Sequence, residues 1–135
     1  MAHFPDPDWV VALMEKLNND ARYAQIAANW EGDMRIVLEA SGPLKEPVVY
    51  YIDLWHGKCR EAFAETDPEN RNPAFILKAP YENFARILTG QLDPMQALLT
   101  RKLGVQGNFA VLMRSVPTVL DFVRCCREIT TSALS

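Results

Sequence analysis

A chain of 135 residues, 49% hydrophobic and 23% charged, has the composition of an ordinary globular protein and the length of one domain that buries a core without metal or disulfide staples. Its net charge of −3, with the basic residues scattered, argues against a nucleic-acid partner, and no run approaches the roughly 18 consecutive apolar residues of a membrane span. Three cysteines, two of them adjacent, make no disulfide framework, and MAHFPDPDWV carries no basic or apolar leader, so cytoplasmic residence with reduced thiols is the expectation.

Asp6-Pro7-Asp8 is a helix start: a side-chain oxygen to cap free amides, a proline suited to the first helical position and an acid near the positive dipole end. Trp9, Val10, Leu13, Met14 and Leu17 follow at helical spacing and predict a helix over Pro7–Leu17. Asn18-Asn19-Asp20 interrupts it and caps a second helix, Ala21–Asn29, with Tyr23, Ile26 and Ala27 on its apolar side ahead of Trp30. Glu31-Gly32-Asp33 reads as a turn, after which Met34, Ile36 and Leu38 alternate with Arg35 and Glu39 as in a half-buried strand that ends at Ser41-Gly42-Pro43. Val48–Trp55 is β-branched and aromatic, and His56-Gly57 turns it into a hairpin with Lys58–Glu65. Asp67–Pro73 is polar and predicts a surface loop before a fourth strand, Ala74–Lys78.

Pro80 opens a helix bearing Tyr81, Phe84, Ile87 and Leu88, with Gly90 placed as a left-handed cap. Asp93-Pro94 starts another, with Met95, Leu98 and Leu99. A short strand, Leu103–Gln106, precedes Gly107-Asn108, and Phe109–Ile129 is helical by pattern, Pro117 marking a kink or a fresh start. Helices, a run of strands and helices again predict one α+β domain over residues 1–135, with helices on one face of a mainly antiparallel sheet and no internal repeat or linker.

Reactive groups are sparse. Asp53 and His56 are close enough in sequence to suggest an acid-base pair, yet His56-Gly57 is the tip of a hairpin, where His tolerates positive φ. His3 is expected in a frayed terminus, and two distant histidines without a Cys-x-x-Cys pair give no metal site. Cys125 and Cys126 read as buried small apolar residues. Arg101, Lys102 and Arg114 bracket the short strand and could meet a carboxylate or phosphate, or stand as solvated charges. The stronger signal is an apolar excess in the carboxyl-terminal half, from Phe84 to Phe122, enough to line a pocket as well as a core. Composition alone does not choose between the two.

The late motif chooses. Thr89-Gly90, Asp93-Pro94, Lys102-Leu103, Val105 and Gly107-Asn108 follow the signature of the sterol carrier protein type 2 family, also called the nonspecific lipid-transfer domain, which the chain resembles. The run from Trp9 through LMEKLNNDARYAQIAANWEGDMRIVLEA is similar to the start of small bacterial members, so the resemblance covers nearly the whole chain. Gly104 is a departure, standing where the family often has a lysine and removing a basic side chain. The closing TTSALS is no Ser-Lys-Leu peroxisomal address.

The resemblance implies a five-stranded, mainly antiparallel sheet with helices packed on it and an apolar tunnel between them. It implies binding of a fatty acid, fatty acyl-CoA, sterol or similar lipid without chemical conversion; no cofactor, metal or catalytic residue is expected. Phe84, Leu88, Met95, Leu99, Val105, Phe109, Leu112, Met113, Val116 and Leu120 are the candidate ligand contacts, and the segment from Phe109 onward is the candidate lid. Transient membrane contact and homodimerisation are compatible with this reading. Two others compete: a small enzyme using Asp53 and His56 on an apolar substrate, and an interaction module whose apolar surface meets a partner.

Overall fold

The computed structural model describes residues 2–66 and 71–133. A short strand β1 (Ala2–Phe4) leads into helix α1 (Pro7–Asn18), where Trp9, Val10, Leu13 and Leu17 form the buried stripe that their spacing predicts. Asp6 makes no side-chain cap; its carbonyl oxygen serves instead, accepting from the Trp9 amide at 3.0 Å and the Tyr50 hydroxyl at 2.9 Å. Asp20 does cap helix α2 (Ala21–Ile26), its carboxylate accepting from the Tyr23 amide at 2.9 Å. The helix stops short of Asn29 because the chain turns: the Trp30 amide donates to the Ala27 carbonyl at 2.9 Å.

Strand β2 (Glu31–Glu39) corrects the predicted turn at Glu31-Gly32-Asp33. Those residues already pair with Trp55, Leu54 and Asp53, and Gly32 is needed for close packing, since a Cβ there would lie 3.3 Å from the Phe75 ring. Strands β3 (Val48–Trp55) and β4 (Lys58–Ala64) form the expected hairpin, with His56 at φ 50° and Gly57 at φ 79°, two successive left-handed residues that match the twist of the strands. Part of the loop expected over Asp67–Pro73 lies outside the described residues. Then come β5 (Phe75–Pro80), α3 (Tyr81–Leu88), α4 (Pro94–Leu99), β6 (Gly104–Gln106), α5 (Phe109–Arg114), α6 (Val116–Ile129) and β7 (Thr130–Ala133). Pro117 begins a helix rather than kinking one, with Ser115 at the break.

The main sheet is five-stranded, in the order β4-β3-β2-β5-β6; its neighbours are antiparallel except β2 and β5. Alternation sends Met34, Ile36 and Leu38 of β2 and Tyr50, Ile52 and Leu54 of β3 into one core with α1 and with Phe122, Cys125, Cys126 and Ile129 of α6. A charge cluster ties the helices together. Arg124 of α6 donates to Asp20 at 2.7 Å, to Asp121 at 2.7 Å and to Glu128 at 2.8 Å, while Lys16 of α1 reaches Asp20 at 3.0 Å and Glu128 at 2.7 Å.

The amino-terminal segment is not frayed. β1 pairs in parallel with β7 as a separate two-stranded sheet, the His3 imidazole hydrogen-bonds the Ser132 hydroxyl, and Trp9 Nε1 donates to Thr130 Oγ1 at 2.8 Å. Strands this short carry no periodicity to read.

Candidate functional site

Between the inner face of the sheet and the helices lies a cavity of about 100 Å³ whose exposed surface is apolar throughout. Met34, Ile36, Tyr50, Leu54 and Leu77 form its sheet side. Phe84, Ile87 and Leu88 of α3 and Val119, Phe122 and Val123 of α6 form much of its helical side, with Leu112 contributed by α5. Phe4, Trp9, Tyr23 and Trp30 close it from the amino-terminal region. The strand residues and these aromatics escaped sequence reasoning, which weighed only the carboxyl-terminal half; the alternation of β2 and β3 was the available signal, because it aims their even-numbered residues inward.

Of the candidate ligand contacts, Phe84, Leu88 and Leu112 stand on the cavity wall. Met95, Val105 and Met113 pack against the core as half-buried residues away from that wall, and Val116 is also half-buried off it. Leu99, Phe109 and Leu120 are exposed, Leu99 to 65%. The cause is geometric. Helices α4 and α5 are six residues long, so each turns one narrow stripe inward, Pro94, Ala97 and Leu98 in α4 and Leu112 in α5, and the adjacent residue points ~100° away.

The signature residues build the frame of this cavity. Gly90, at φ 80°, ends α3 in the left-handed conformation, and Thr89 Oγ1 donates back to the Ala85 carbonyl at 2.9 Å. Asp93 caps α4 by accepting from the Gln96 amide at 3.3 Å, with Pro94 at its first position. Leu103 is buried on the wall. Gly107 sits at φ 129°, where a Cβ would lie 2.5 Å from the Ala74 carbonyl oxygen, and the Asn108 side chain opens α5 by accepting from the Val111 amide at 3.2 Å.

Among the described residues, reactive groups do not converge. His56 Nε2 lies 2.6 Å from Glu31, and Asp53 accepts from Arg60 at 2.9 and 3.1 Å, so the acid-base pair suggested by their spacing is replaced by two separate surface pairings. The three thiols are free and buried. Burial pushes Cys59 up to about 12 and Cys125 up to about 11, and Cys126 well above its ordinary value, which keeps all three protonated and unreactive at neutral pH. Asp20, Asp121 and Cys125 come within 4.8 Å of one another, but the Arg124 guanidinium already occupies the two carboxylates. Among the described residues no helix is long and apolar enough to cross a membrane.

A mainly antiparallel sheet and a helical layer thus enclose a cavity whose surface is apolar. Residues 8–119 match the SCP-2 sterol transfer family, and the chain belongs to that family. It is similar to a crystal structure of sterol carrier protein 2, with 29% identity, a TM-score of 0.81 and coverage of 91% of this chain and 96% of that one. It is similar also to the solution structure of a conserved hypothetical protein from Thermus thermophilus, with 27% identity, a TM-score of 0.82 and coverage of 93% and 88%. The sterol carrier protein domain 2 of Helicoverpa armigera shares the fold at 20% identity and a TM-score of 0.62, over 90% of this chain and 87% of that one. No curated protein matches the chain by sequence.

Proposed function

We propose that this protein is a lipid carrier that takes one long apolar ligand, a fatty acid, fatty acyl-CoA, sterol or similar molecule, into the cavity and releases it unchanged. The observation that carries this reading is the cavity surface itself, apolar throughout and drawn from sheet and helices together. Each methylene moved from water into such a lumen contributes ~0.8 kcal/mol, so burying most of a long acyl chain offsets association costs and leaves micromolar affinity. Unchanged release agrees with the separation of Asp53 from His56 and with protonated, buried thiols. Membership of a sterol transfer family supports the same reading. The free thiols suit a reducing compartment, and we assign the carrier to the cytoplasm.

At about 100 Å³ the cavity is smaller than the roughly 300–1,000 Å³ of small-molecule sites, so uptake of a long ligand enlarges it. Helix α5 is our candidate for the element that yields, since Leu112 is its one buried residue and is smaller than Tyr23, the buried residue of α2. Mass spectra of protein purified without detergent, recorded under native and denaturing conditions, test the carrier reading. A lipid co-purifying at near one-to-one supports it and identifies the ligand class. A protein that stays ligand-free after incubation with fatty acids, acyl-CoA and sterols refutes it.

A further inference from the structure

A lumen with no polar surface accepts a hydrocarbon tail and rejects a charged head: a carboxylate moved into it without a partner loses its hydration for nothing in return. An anionic amphiphile held there must therefore leave its head at a mouth. Such a mouth adjoins the lumen. A second hollow, of about 500 Å³ and partly polar, opens between the end of α2, the start of β2 and the α5–α6 junction, and two of its lining residues, Trp30 and Thr118, also line the apolar cavity. These two residues stand where the two hollows adjoin.

The two shared residues are held differently. Trp30 is anchored, its Nε1 donating to the Gly32 carbonyl at 3.0 Å and its ring stacked on Phe75. Thr118 is held by one long hydrogen bond, 3.3 Å from its hydroxyl to the Ile26 carbonyl, and it rides on the first turn of α6 beside the yielding α5. A tail can pass where Thr118 gives way.

Arg114 is the cation of the vestibule, and among the described residues it has no ion-pair or hydrogen-bond partner for its side chain. The vestibule also holds a carboxylate, Glu31, whose Oε2 lies 2.6 Å from His56 Nε2 and which makes no ion pair with Arg114. Asn29 and Ser115 add neutral hydrogen-bonding groups to the same lining. The other basic residues near the motif, Arg101 and Lys102, line neither hollow.

We propose that this vestibule is the headgroup subsite of the carrier, where Arg114 binds the anionic head, carboxylate or phosphate, of a long-chain amphiphile whose tail lies past Trp30 and Thr118 in the lumen. The proposal rests on the carrier reading and goes beyond it by fixing which end of the ligand faces which opening. A planar guanidinium offers two parallel donors to such oxygens, and the head stays partly hydrated while the tail is buried.

The test is a titration of the delipidated full chain with palmitate, with hexadecanol, which has the same chain and a neutral head, and with palmitoyl-CoA. Arg114→Gln is expected to weaken binding of the anionic ligand about tenfold, the effect of one lost charge-assisted hydrogen bond, and to leave hexadecanol unchanged. Arg114→Lys should recover part of the loss, and Lys102→Gln should cause none. A loss confined to palmitate assigns a carboxylate and a loss confined to palmitoyl-CoA a phosphate; either supports the subsite. Equal weakening of palmitate and hexadecanol, unchanged affinity for both anions, or an equal loss in Lys102→Gln overturns the subsite while leaving the carrier reading in place. Failure of the unmodified protein to bind any of the three overturns the carrier reading and the subsite with it.

Discussion

Arg35 of β2 and Glu65, just past β4, clasp each other across β3 on the sheet face turned away from the cavity, with Nε to Oε2 at 2.9 Å and Nη2 to Oε1 at 3.0 Å. Both side chains are nearly inaccessible, at 9% and 1% exposure; Arg35 Nη2 also donates to the Arg71 carbonyl at 3.3 Å, and the Arg71 guanidinium stacks on Tyr51 and Phe63. Breaking a buried pair from one side strands the other charge. Arg35→Met alone should therefore cost about 3–5 kcal/mol, whereas Arg35→Met with Glu65→Leu should cost far less. Urea unfolding of the two singles and the double measures this, and additive losses would contradict the coupling.

Tyr23 and Tyr50 are both fully buried, and burial raises both phenols far above their ordinary value, so each stays neutral. Their hydroxyls differ. That of Tyr50 donates to the Asp6 carbonyl at 2.9 Å, while that of Tyr23 has no partner among the described residues. Tyr23→Phe should stabilise the protein by about 1 kcal/mol and Tyr50→Phe should destabilise it by about the same amount. Denaturation midpoints of the pair decide the matter, and a Tyr23→Phe loss as large as that of Tyr50→Phe would show the Tyr23 hydroxyl to be bonded.

Acid should loosen the helical layer. The hydrogen bond from Arg124, followed by that from the Tyr23 amide, holds the Asp20 carboxyl well below its ordinary 3.8, and Lys16 and then Arg124 hold Glu128 below its ordinary 4.5. Folded-state values depressed in this way give stability that is complete above the unfolded values and is lost as pH falls through the folded ones. The urea midpoint is expected to be level from neutral pH to about 5 and to drop below about 4. Asp20→Asn, which keeps a capping side chain, should lower the neutral plateau by about 1–3 kcal/mol and flatten the acid limb. An unchanged acid limb in that variant would remove Asp20 from the account.

Leucines on and off the cavity wall should behave differently. Leu88→Asn places an amide on the cavity wall, where an unpaired polar group facing hydrocarbon costs about 1–3 kcal/mol, so hexadecanol affinity should fall about tenfold or more. Leu99→Asn, at an exposed position, should shift affinity and stability by less than about 0.5 kcal/mol. Displacement of a fluorescent fatty acid analogue compares the two, and equal losses would mean that the wall is drawn wrongly.

The parts of this molecule legible in its sequence are those decided within a few residues. Met34, Ile36 and Leu38 declare their face by alternation, His56-Gly57 adopts the positive φ that its turn demands, and Pro117 starts a helix because proline fits the first turn and little else. Gly32 misleads because a glycine that admits the Phe75 ring looks the same in sequence as one that allows a turn. Leu98 and Leu99 are chemically identical, and only the docking of α4 decides that one is buried and the other exposed. Arg35 sits at a position that alternation sends away from the core, and its burial follows from a partner 30 residues away that no local pattern announces.

The pairing of β1 with β7 reaches beyond the finished structure to the order in which it is made. Phe4 forms part of the cavity wall, packed against Trp9 and Tyr81, and its strand is tied to residues 130–133 by contacts as distant as 129 positions, including Thr131 Oγ1 on the Ala2 carbonyl at 3.0 Å. Closing so long a loop is among the last steps open to a chain that emerges from the ribosome amino end first. During synthesis the sheet and the first helices can assemble while the wall beside Phe4 still lacks its strand partner. Until residues 130–133 are in place, Phe4 stands on the wall without the strand that pairs with its own.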